Sequence, residues 1–147
     1  MLNKGMMSSS RYDWETPAKF FEDLDSKYRF TLDPCCTEGN RKCGKFFTQK
    51  ENGLIKPWKG ERVFVNPPYG REIYRWADKC WRQANCGADS AELVVGLFPA
   101  RTDTRYFHDY VYHKSIIEFI KGRLRFELNG IPMGPAPFPS MLVIWGS

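Results

Sequence analysis

A short polar loop with two prolines is the part of this sequence best suited to chemistry. Asn66-Pro67-Pro68-Tyr69 directly follows the apolar run Val63-Phe64-Val65. Each proline fixes its φ angle near about −65° and lacks a backbone N–H, so the loop is stiff and its carbonyls have few internal donors. The Asn66 side-chain oxygen and the Pro67 carbonyl could accept hydrogen bonds from an exocyclic amino group, while Tyr69 offers a flat face to a base. Methyl transfer to such an amine in DNA is therefore the leading hypothesis.

A plain structural interpretation stands beside this one. Two prolines after a strand are also an ordinary way to end the strand and begin a loop. The full four-residue combination after a buried strand favours the chemical interpretation. Asn-Pro-Pro-Tyr resembles motif IV of the amino-methyltransferases, which act on the adenine amino group in DNA or, in a related branch, on a glutamine amide in protein.

A second polar loop, Asp33-Pro34-Cys35-Cys36, follows another short apolar segment. Ligands of open α/β sheets bind beyond the carboxyl ends of the strands, near the point where the strand order reverses. A carboxylate such as Asp33 could bind the ammonium group of S-adenosylmethionine, and the small residues Thr37 and Gly39 would allow close backbone approach. An ordinary strand-ending turn at Asp-Pro is the alternative.

Alternating patterns of apolar residues predict the elements that position these loops. Thr16 reads as an N-cap and Pro17 as the first helical residue. We predict helices over 17–27, 72–84 and 102–112, strands over 30–33, 45–48, 62–65, 92–98, 115–120 and 141–145, and a turn at Asn129-Gly130. This alternation predicts an α/β fold, a compact Rossmann-like methyltransferase sheet that is mostly parallel with an antiparallel hairpin at one edge.

Composition sets the class of protein. The 147 residues, 42% hydrophobic, suffice for one compact core, so we expect a flexible tail over 1–11 and one domain over 12–147. The longest apolar stretch, 93–100, is far short of the roughly 20 residues of a membrane span, and no signal core is visible, so we expect a cytoplasmic protein. The formal charge of +5 favours a polyanionic partner.

Several motifs, taken in order, resemble the phage-type DNA N-6-adenine-methyltransferase (Dam) family over roughly residues 14–145. The segments that carry the resemblance are Thr16-Pro17, Leu32-Asp33-Pro34-Cys35-Cys36, Asn40 with Cys43, Asn52-Gly53-Leu54 with Trp58, Val65-Asn66-Pro67-Pro68-Tyr69, Pro99-Ala100-Arg101-Thr102-Asp103-Thr104, Gly122-Arg123-Leu124-Arg125-Phe126 and Pro137-Phe138-Pro139-Ser140. Their common order is more specific than any single segment.

The resemblance implies S-adenosylmethionine as cofactor, DNA as partner and a role for each matching residue. The implied catalytic residues are Asn66, Pro67, Pro68 and Tyr69. The implied cofactor-binding residues are Thr16, Pro17, Asp33, Pro34, Cys35 and Cys36, with Asn52 for the cofactor adenosine. Larger amino-methyltransferases carry Gly-x-Gly after the first strand, whereas the segment 35–39 has only Gly39. Only 33 positions separate Asp33 from Asn66, so the elements between them must be short or missing.

The remaining candidate residues lie in the second half of the chain. A basic rim predicted to bind DNA phosphates comprises Arg101, Arg105, Lys121, Arg123 and Arg125, with a solvated charged face as the alternative. Phe126 and Phe138 are candidates to stack on the second face of a flipped base, with core packing as the alternative for at least one of them.

Metal chemistry is not expected from this sequence. The five cysteines lack zinc-site spacing, so we expect reduced thiols, no metal, and surface positions for His108 and His113. Two other functions stay open at this point: an RNA adenine or protein glutamine methyltransferase using the same loop, and a catalytically silent DNA-binding domain with the same fold.

Overall fold

One six-stranded sheet organises the chain, which a computed structural model describes over residues 14–146. The predicted tail over 1–11 lies outside the described residues. The strands of the sheet are β1 (Leu32–Cys36), β2 (Lys45–Thr48), β3 (Arg62–Val65), β4 (Leu93–Pro99), β5 (Ile116–Phe119) and β8 (Ser140–Gly146), in the spatial order β2-β1-β3-β4-β8-β5. A separate small hairpin consists of β6 (Glu127–Leu128) and β7 (Ile131–Pro132).

The strand directions confirm the predicted Rossmann-like sheet with an antiparallel edge. Strands β1 to β4 are parallel, and β8 runs antiparallel to both of its neighbours, β4 and β5. From β1 the chain moves outward to β2 and then returns to place β3 on the other side of β1. The order therefore reverses between β1 and β3, so the loops that begin at the carboxyl ends of these two strands face a common crevice.

Both faces of the sheet are covered, which is why β4 is buried along its whole length. Helix α1 (Ala18–Tyr28) packs on one face, where the Phe21 ring meets the Phe64 ring edge-on at 5.1 Å. Helix α2 (Ile73–Ala84) packs on the other face and buries Trp76, Ala77 and Cys80. The short connection between β2 and β3 contains only a 3-10 turn, Gly53–Ile55, as the 33-position spacing predicted.

Two predictions near the start of the described chain are wrong in detail. Helix α1 begins at Ala18, with Pro17 at the N-cap position, and no hydroxyl of Thr16 caps it; the Glu127 carboxylate instead accepts the Ala18 N–H at 3.3 Å. Strand β1 spans Leu32–Cys36 rather than 30–33. Pro34 lies inside this strand because the ladder with β2 is irregular between Asp33 and Cys36, so the missing N–H costs no regular hydrogen bond.

The predicted helix over 102–112 is shorter than its apolar pattern indicates. Its described core is a π-helical turn, Phe107–Val111. The Thr104 hydroxyl donates to the Arg101 carbonyl at 2.7 Å and closes a turn before this helix begins. The strands over 45–48 and 62–65 have the predicted bounds, and the turn at Asn129-Gly130 joins β6 to β7 with both residues at positive φ, 54° and 77°.

We predict that Gly96→Ala destabilises the fold by about 2 kcal/mol, as overpacked cores do. A Cβ at Gly96, in the middle of β4, would lie 2.4 Å from the Phe98 ring and 3.2 Å from the Trp145 ring, and both rings are buried. Urea unfolding measures the loss, and Gly134→Ala is the matched control because nothing lies within 4 Å of its added Cβ. Equal unfolding free energies for the two variants would contradict the packing described for β4.

Candidate active site

The Asn66 side-chain amide, just past β3, connects two parts of the chain that are far apart in sequence. Its Nδ2 donates to the Trp14 carbonyl at 3.2 Å, and its Oδ1 accepts from the Tyr69 hydroxyl at 3.1 Å. These bonds define the plane of the amide and the direction of its oxygen. An amide oxygen has two lone pairs, so Oδ1 can accept a second donor.

The two prolines after Asn66 leave another acceptor at the same place. Pro67 and Pro68 are buried, and no donor among residues 14–146 bonds to the Pro67 carbonyl. A backbone carbonyl without a partner is uncommon beside buried residues and calls for an explanation. Asn66 Oδ1 and the Pro67 carbonyl are consecutive acceptors with capacity for an amino group.

Tyr69 is a buried hydroxyl donor rather than a free stacking platform. Its side chain is 3% exposed, and its ring meets Phe126 and Phe138 edge-on at 6.0 Å and 5.2 Å. Burial raises the pKa of Tyr69, so the hydroxyl stays protonated and keeps its bond to Asn66. Phe126 and Phe138 are 1% and 4% exposed, which corrects the prediction that they offer a face to a flipped base: both rings pack in the core.

Asp33, in β1, is a buried carboxylate held by backbone donors. Oδ1 accepts the Cys35 N–H at 3.2 Å, and Oδ2 accepts the Lys42 N–H at 3.0 Å. Burial raises the pKa of Asp33 to about 6, and the two N–H groups offset part of that rise. Because the folded state favours the protonated form of Asp33, the contribution of this group lowers the free energy of unfolding as the pH rises from about 4 to about 6.

The two predicted loops, at Asp33 and at Asn66, meet in one narrow cleft, which we call the Asp33 cleft. Thr16, Asp33, Cys35, Cys36 and Asn66 line it together, although its open volume is only about 10 Å³. A much larger cavity of about 480 Å³ adjoins it and shares three of its lining residues, Glu15, Asn40 and Lys42. The structure therefore brings most of the predicted cofactor residues to the same place as the catalytic loop.

The segment before α1 and the β6–β7 hairpin form one wall of the larger cavity. Glu15 and Glu127 exchange two backbone hydrogen bonds, at 2.8 Å and 2.9 Å. The Glu15 carboxylate also accepts the Gly130 N–H at 2.9 Å. Both acidic side chains line the cavity, opposite the loop that carries Lys42.

Three of the predicted cofactor residues, Pro17, Pro34 and Asn52, do not line the cleft or the larger cavity beside it. Pro17 is at the N-cap position of α1, and Pro34 packs against Gly53 so closely that a Cβ there would lie 2.1 Å from the Pro34 carbonyl oxygen. The Asn52 side chain accepts the Leu54 N–H at 3.2 Å and lines a different groove, beside α2. The placement of Asn52 does not support a contact with a cofactor in the Asp33 cleft.

A second cavity, which we call the aromatic cavity, lies on the other side of the predicted catalytic loop from Asn66 to Tyr69. Its volume is about 610 Å³. The lining includes three aromatic residues, Tyr69, Tyr74 and Tyr106, together with Pro99 at the end of β4. The Tyr106 hydroxyl donates to the Pro99 carbonyl, so the turn after β4 is held against this aromatic ring. Asn66 thus borders the narrow Asp33 cleft, and Tyr69 borders the second cavity.

The predicted basic rim divides into two groups. Arg101 and Arg105 line the second cavity, and the Arg105 guanidinium lies 4.7 Å from the centre of the Tyr74 ring. Lys121, Arg123 and Arg125 are exposed on the connection between β5 and β6, away from the lining of either cavity. Arg123 donates to the Ala136 carbonyl at 3.1 Å, so it joins its loop to the connection between β7 and β8.

Sequence reasoning missed several lining residues. These are Glu15, Asn40, Lys42 and Glu127 in the first cavity and Arg71, Tyr74 and Tyr106 in the second. Glu15 adjoins the Thr16-Pro17 motif, and Arg71 adjoins the catalytic loop, so proximity to a motif was an available signal for both. Glu127 likewise follows the segment that ends at Phe126, but its backbone pairing with Glu15 could not be read from the sequence.

Some kinds of site are not seen in the described part of the chain. Within residues 14–146, no group of three or more His, Cys, Asp and Glu side chains is placed to hold a metal ion. The five cysteines carry free thiols, and burial raises the pKa of Cys43 to about 12. The helices of this same region include none that is long and apolar enough to cross a membrane.

The parallel sheet with one antiparallel strand near its edge, and the polar loops meeting at its switch point, define a Rossmann-like protein of the methyltransferase type. The family model described as DNA N-6-adenine-methyltransferase (Dam) matches residues 4–146, and the chain belongs to that family. It is also similar to a DNA N-6-adenine-methyltransferase of Escherichia phage T1, with 29% identity over 119 residues. That match covers 80% of this chain, which spans about half of the relative, 48% of its length.

We predict that Tyr69→Phe lowers the free energy of unfolding by about 1 kcal/mol, because it removes a buried hydrogen bond to Asn66 and keeps the ring. Urea unfolding at neutral pH is the measurement. Tyr112→Phe is the control, since Tyr112 is 47% exposed and its hydroxyl makes no hydrogen bond to residues 14–146. If the two variants unfold at the same urea concentration, the Tyr69 hydroxyl does not support Asn66 as described.

Proposed function

We propose that this chain transfers a methyl group from S-adenosylmethionine to the exocyclic amino group of adenine in DNA. The observation that carries the proposal is the position of the loop from Asn66 to Tyr69. Asn66 lines the Asp33 cleft, and Tyr69 lines the aromatic cavity, so the two acceptors of the loop lie between them. Membership of the DNA N-6-adenine-methyltransferase family supports the choice of substrate.

The residues of the first cavity and of the adjoining Asp33 cleft fit the charges of S-adenosylmethionine, which carries an ammonium, a carboxylate and a sulfonium. Asp33 and Glu15 supply anionic oxygens for the ammonium, and Lys42 supplies a cation for the carboxylate. The volume of about 480 Å³ falls within the roughly 300–1,000 Å³ of small-molecule sites. When bound, the group supplies an electrophilic methyl carbon.

The aromatic cavity fits a single base removed from its stack. Enzymes that modify a base in duplex DNA must extrude it, and they hold it by stacking and by hydrogen bonds to its edge. The half-buried Tyr74 supplies a flat surface, and Arg101 and Arg105 supply positive charge for the attached phosphates. The cavity volume of about 610 Å³ leaves room for the sugar as well as the base.

The chemical work of the protein is positioning and polarisation. Asn66 Oδ1 and the Pro67 carbonyl accept the two amino hydrogens of the base, which directs the nitrogen lone pair away from the ring and towards the Asp33 cleft. On transfer, the amine nitrogen would bond to the methyl carbon as the carbon–sulfur bond breaks, and the surplus amine proton would leave to water. Asn66 accepts no proton, because an amide is not a base at neutral pH; its role is that of a fixed acceptor.

Transfer of labelled methyl from S-adenosylmethionine to unmethylated duplex DNA, with base analysis of the product, tests the proposal. N6-methyladenine is the expected product. Parallel reactions with RNA and with protein substrates separate the other amino-methyltransferase functions. Label in either of those substrates but not in DNA would replace the proposed substrate, and DNA binding without any transfer would identify a silent binding domain.

We predict that Asn66→Ala slows methyl transfer by roughly 100-fold or more, since it removes one preorganised acceptor of the reacting amine. Turnover at saturating substrates is measured together with the dissociation constant of S-adenosylmethionine, which should change by less than about threefold because Asp33 and Lys42 remain. Tyr69→Phe is the control that keeps the Asn66 oxygen and loses only its buried donor. Wild-type turnover in Asn66→Ala would refute the role assigned to the amide.

We predict that cofactor affinity weakens as the pH falls below about 6, because protonation of Asp33 removes the charge that pairs with the ammonium. With one linked proton the loss is about tenfold for each pH unit below that pKa. Calorimetric titration from pH 8 to pH 5 measures it. Asp33→Asn should bind weakly at every pH and lack this dependence, and a variant that keeps the wild-type pH profile would show that another group is responsible.

A further inference from the structure

Helix α2 leads away from the aromatic cavity and carries a row of basic residues along its exposed side. Arg75, Lys79 and Arg82 recur at the four- and three-residue spacing that places side chains on one helical stripe, and Arg71 lies four residues earlier, just before the helix begins. We call this row the α2 basic ridge. Its first member, Arg71, lines the aromatic cavity, and the other three line a neighbouring groove of about 370 Å³ between α2 and the Asn52–Ile55 turn.

Two members of the ridge are held in place by the protein. The Lys79 ammonium donates to the Lys56 carbonyl at 2.7 Å and lies 5.3 Å from the centre of the Trp58 ring. Arg82 Nε donates to the Asp78 carboxylate at 2.6 Å. These contacts fix the positions of both cations along the groove, and the Asp78 carboxylate neutralises the charge of Arg82.

The other two members have no such partner. Arg71 and Arg75 are exposed, and neither forms a hydrogen bond, ion pair or ring contact with residues 14–146. Elsewhere on the described surface, several cations are paired, as in Lys19 with Asp23 and Arg62 with Glu92. Arg71 and Arg75 are four residues apart in sequence, so their guanidinium groups, on long flexible stems, can reach neighbouring phosphates.

We propose that the α2 basic ridge binds the DNA backbone beside the target base, with Arg71 and Arg75 each neutralising one phosphate. The proposal rests on the proposed function, because it takes the aromatic cavity as the place of the base. Residues 71–82 contain four cations and two carboxylates, Glu72 and Asp78, and Asp78 is already engaged with Arg82. Backbone contacts of this kind add affinity and register without reading sequence.

The test compares two double variants that lose the same formal charge. Arg71→Gln with Arg75→Gln removes the free arginines, and Lys19→Gln with Lys27→Gln removes two exposed cations from α1, which packs on the opposite face of the sheet. Binding to a fluorescent duplex is followed by anisotropy between about 50 and 200 mM salt, the range in which phosphate contacts dominate the change in affinity. Methyl transfer and cofactor binding are measured on the same preparations.

The ridge variant should bind DNA about tenfold or more weakly, and the slope of log K against log salt should be smaller by about 2, as expected for two lost phosphate contacts. Cofactor affinity should stay at the wild-type value in the ridge variant, and the α1 variant should keep the wild-type slope, cofactor affinity and turnover. An equal change in the two variants, or no change in either, would overturn the proposal.

Binding and transfer fail separately, so the two proposals can be told apart. A wild-type chain that binds duplex DNA through the ridge but transfers no methyl group would remove the proposed activity and leave the ridge standing. If the wild-type chain methylates adenine and the ridge variant binds DNA with unchanged affinity, the proposed activity stands and the ridge proposal fails. Absence of any salt-dependent DNA binding by the wild-type chain would overturn both.

Discussion

The arrangement of this protein depends on the two hydrogen bonds of the Asn66 amide. One ties the loop after β3 to the segment that precedes α1, and the other ties it to the buried Tyr69 ring. The first bond joins two residues that line the Asp33 cleft, and the second joins the same loop to a ring in the core. A partly buried amide with both ends engaged has little freedom to rotate, so the direction of its remaining lone pair is part of the fold.

The sequence predicted well those elements whose pattern is local. β2 and β3 have the expected bounds, and β4 is buried on both faces because its apolar run is covered by helices on both sides. The pairing of the Asp33 loop with the Asn66 loop also followed, since parallel strands bring their carboxyl ends to one edge. The length of the predicted helix over 102–112 was overestimated, since the π-helical turn is only Phe107–Val111. An apolar pattern does not reveal a preceding turn that is closed by a side chain.

What the sequence could not provide were contacts between distant segments. The Glu127 carboxylate takes over the capping of α1 from 109 positions away, and the Glu15 carboxylate reaches Gly130 across 115 positions. No propensity or spacing rule encodes such pairs. The burial of Phe126 and Phe138 also depends on distant contacts. In sequence both residues lie in loops, but in the structure both rings pack against Tyr69 and belong to the core.

The position of β8 has a consequence for how the protein is made. Residues 140–146 are the last strand in chain order, yet they lie between β4 and β5 and hydrogen-bond to both. During synthesis, β5 therefore has no neighbour in the sheet until β8 has left the ribosome, and the apolar edge of β4 stays uncovered for as long. A chain that stops before residue 140 would keep an open, aggregation-prone edge on β4.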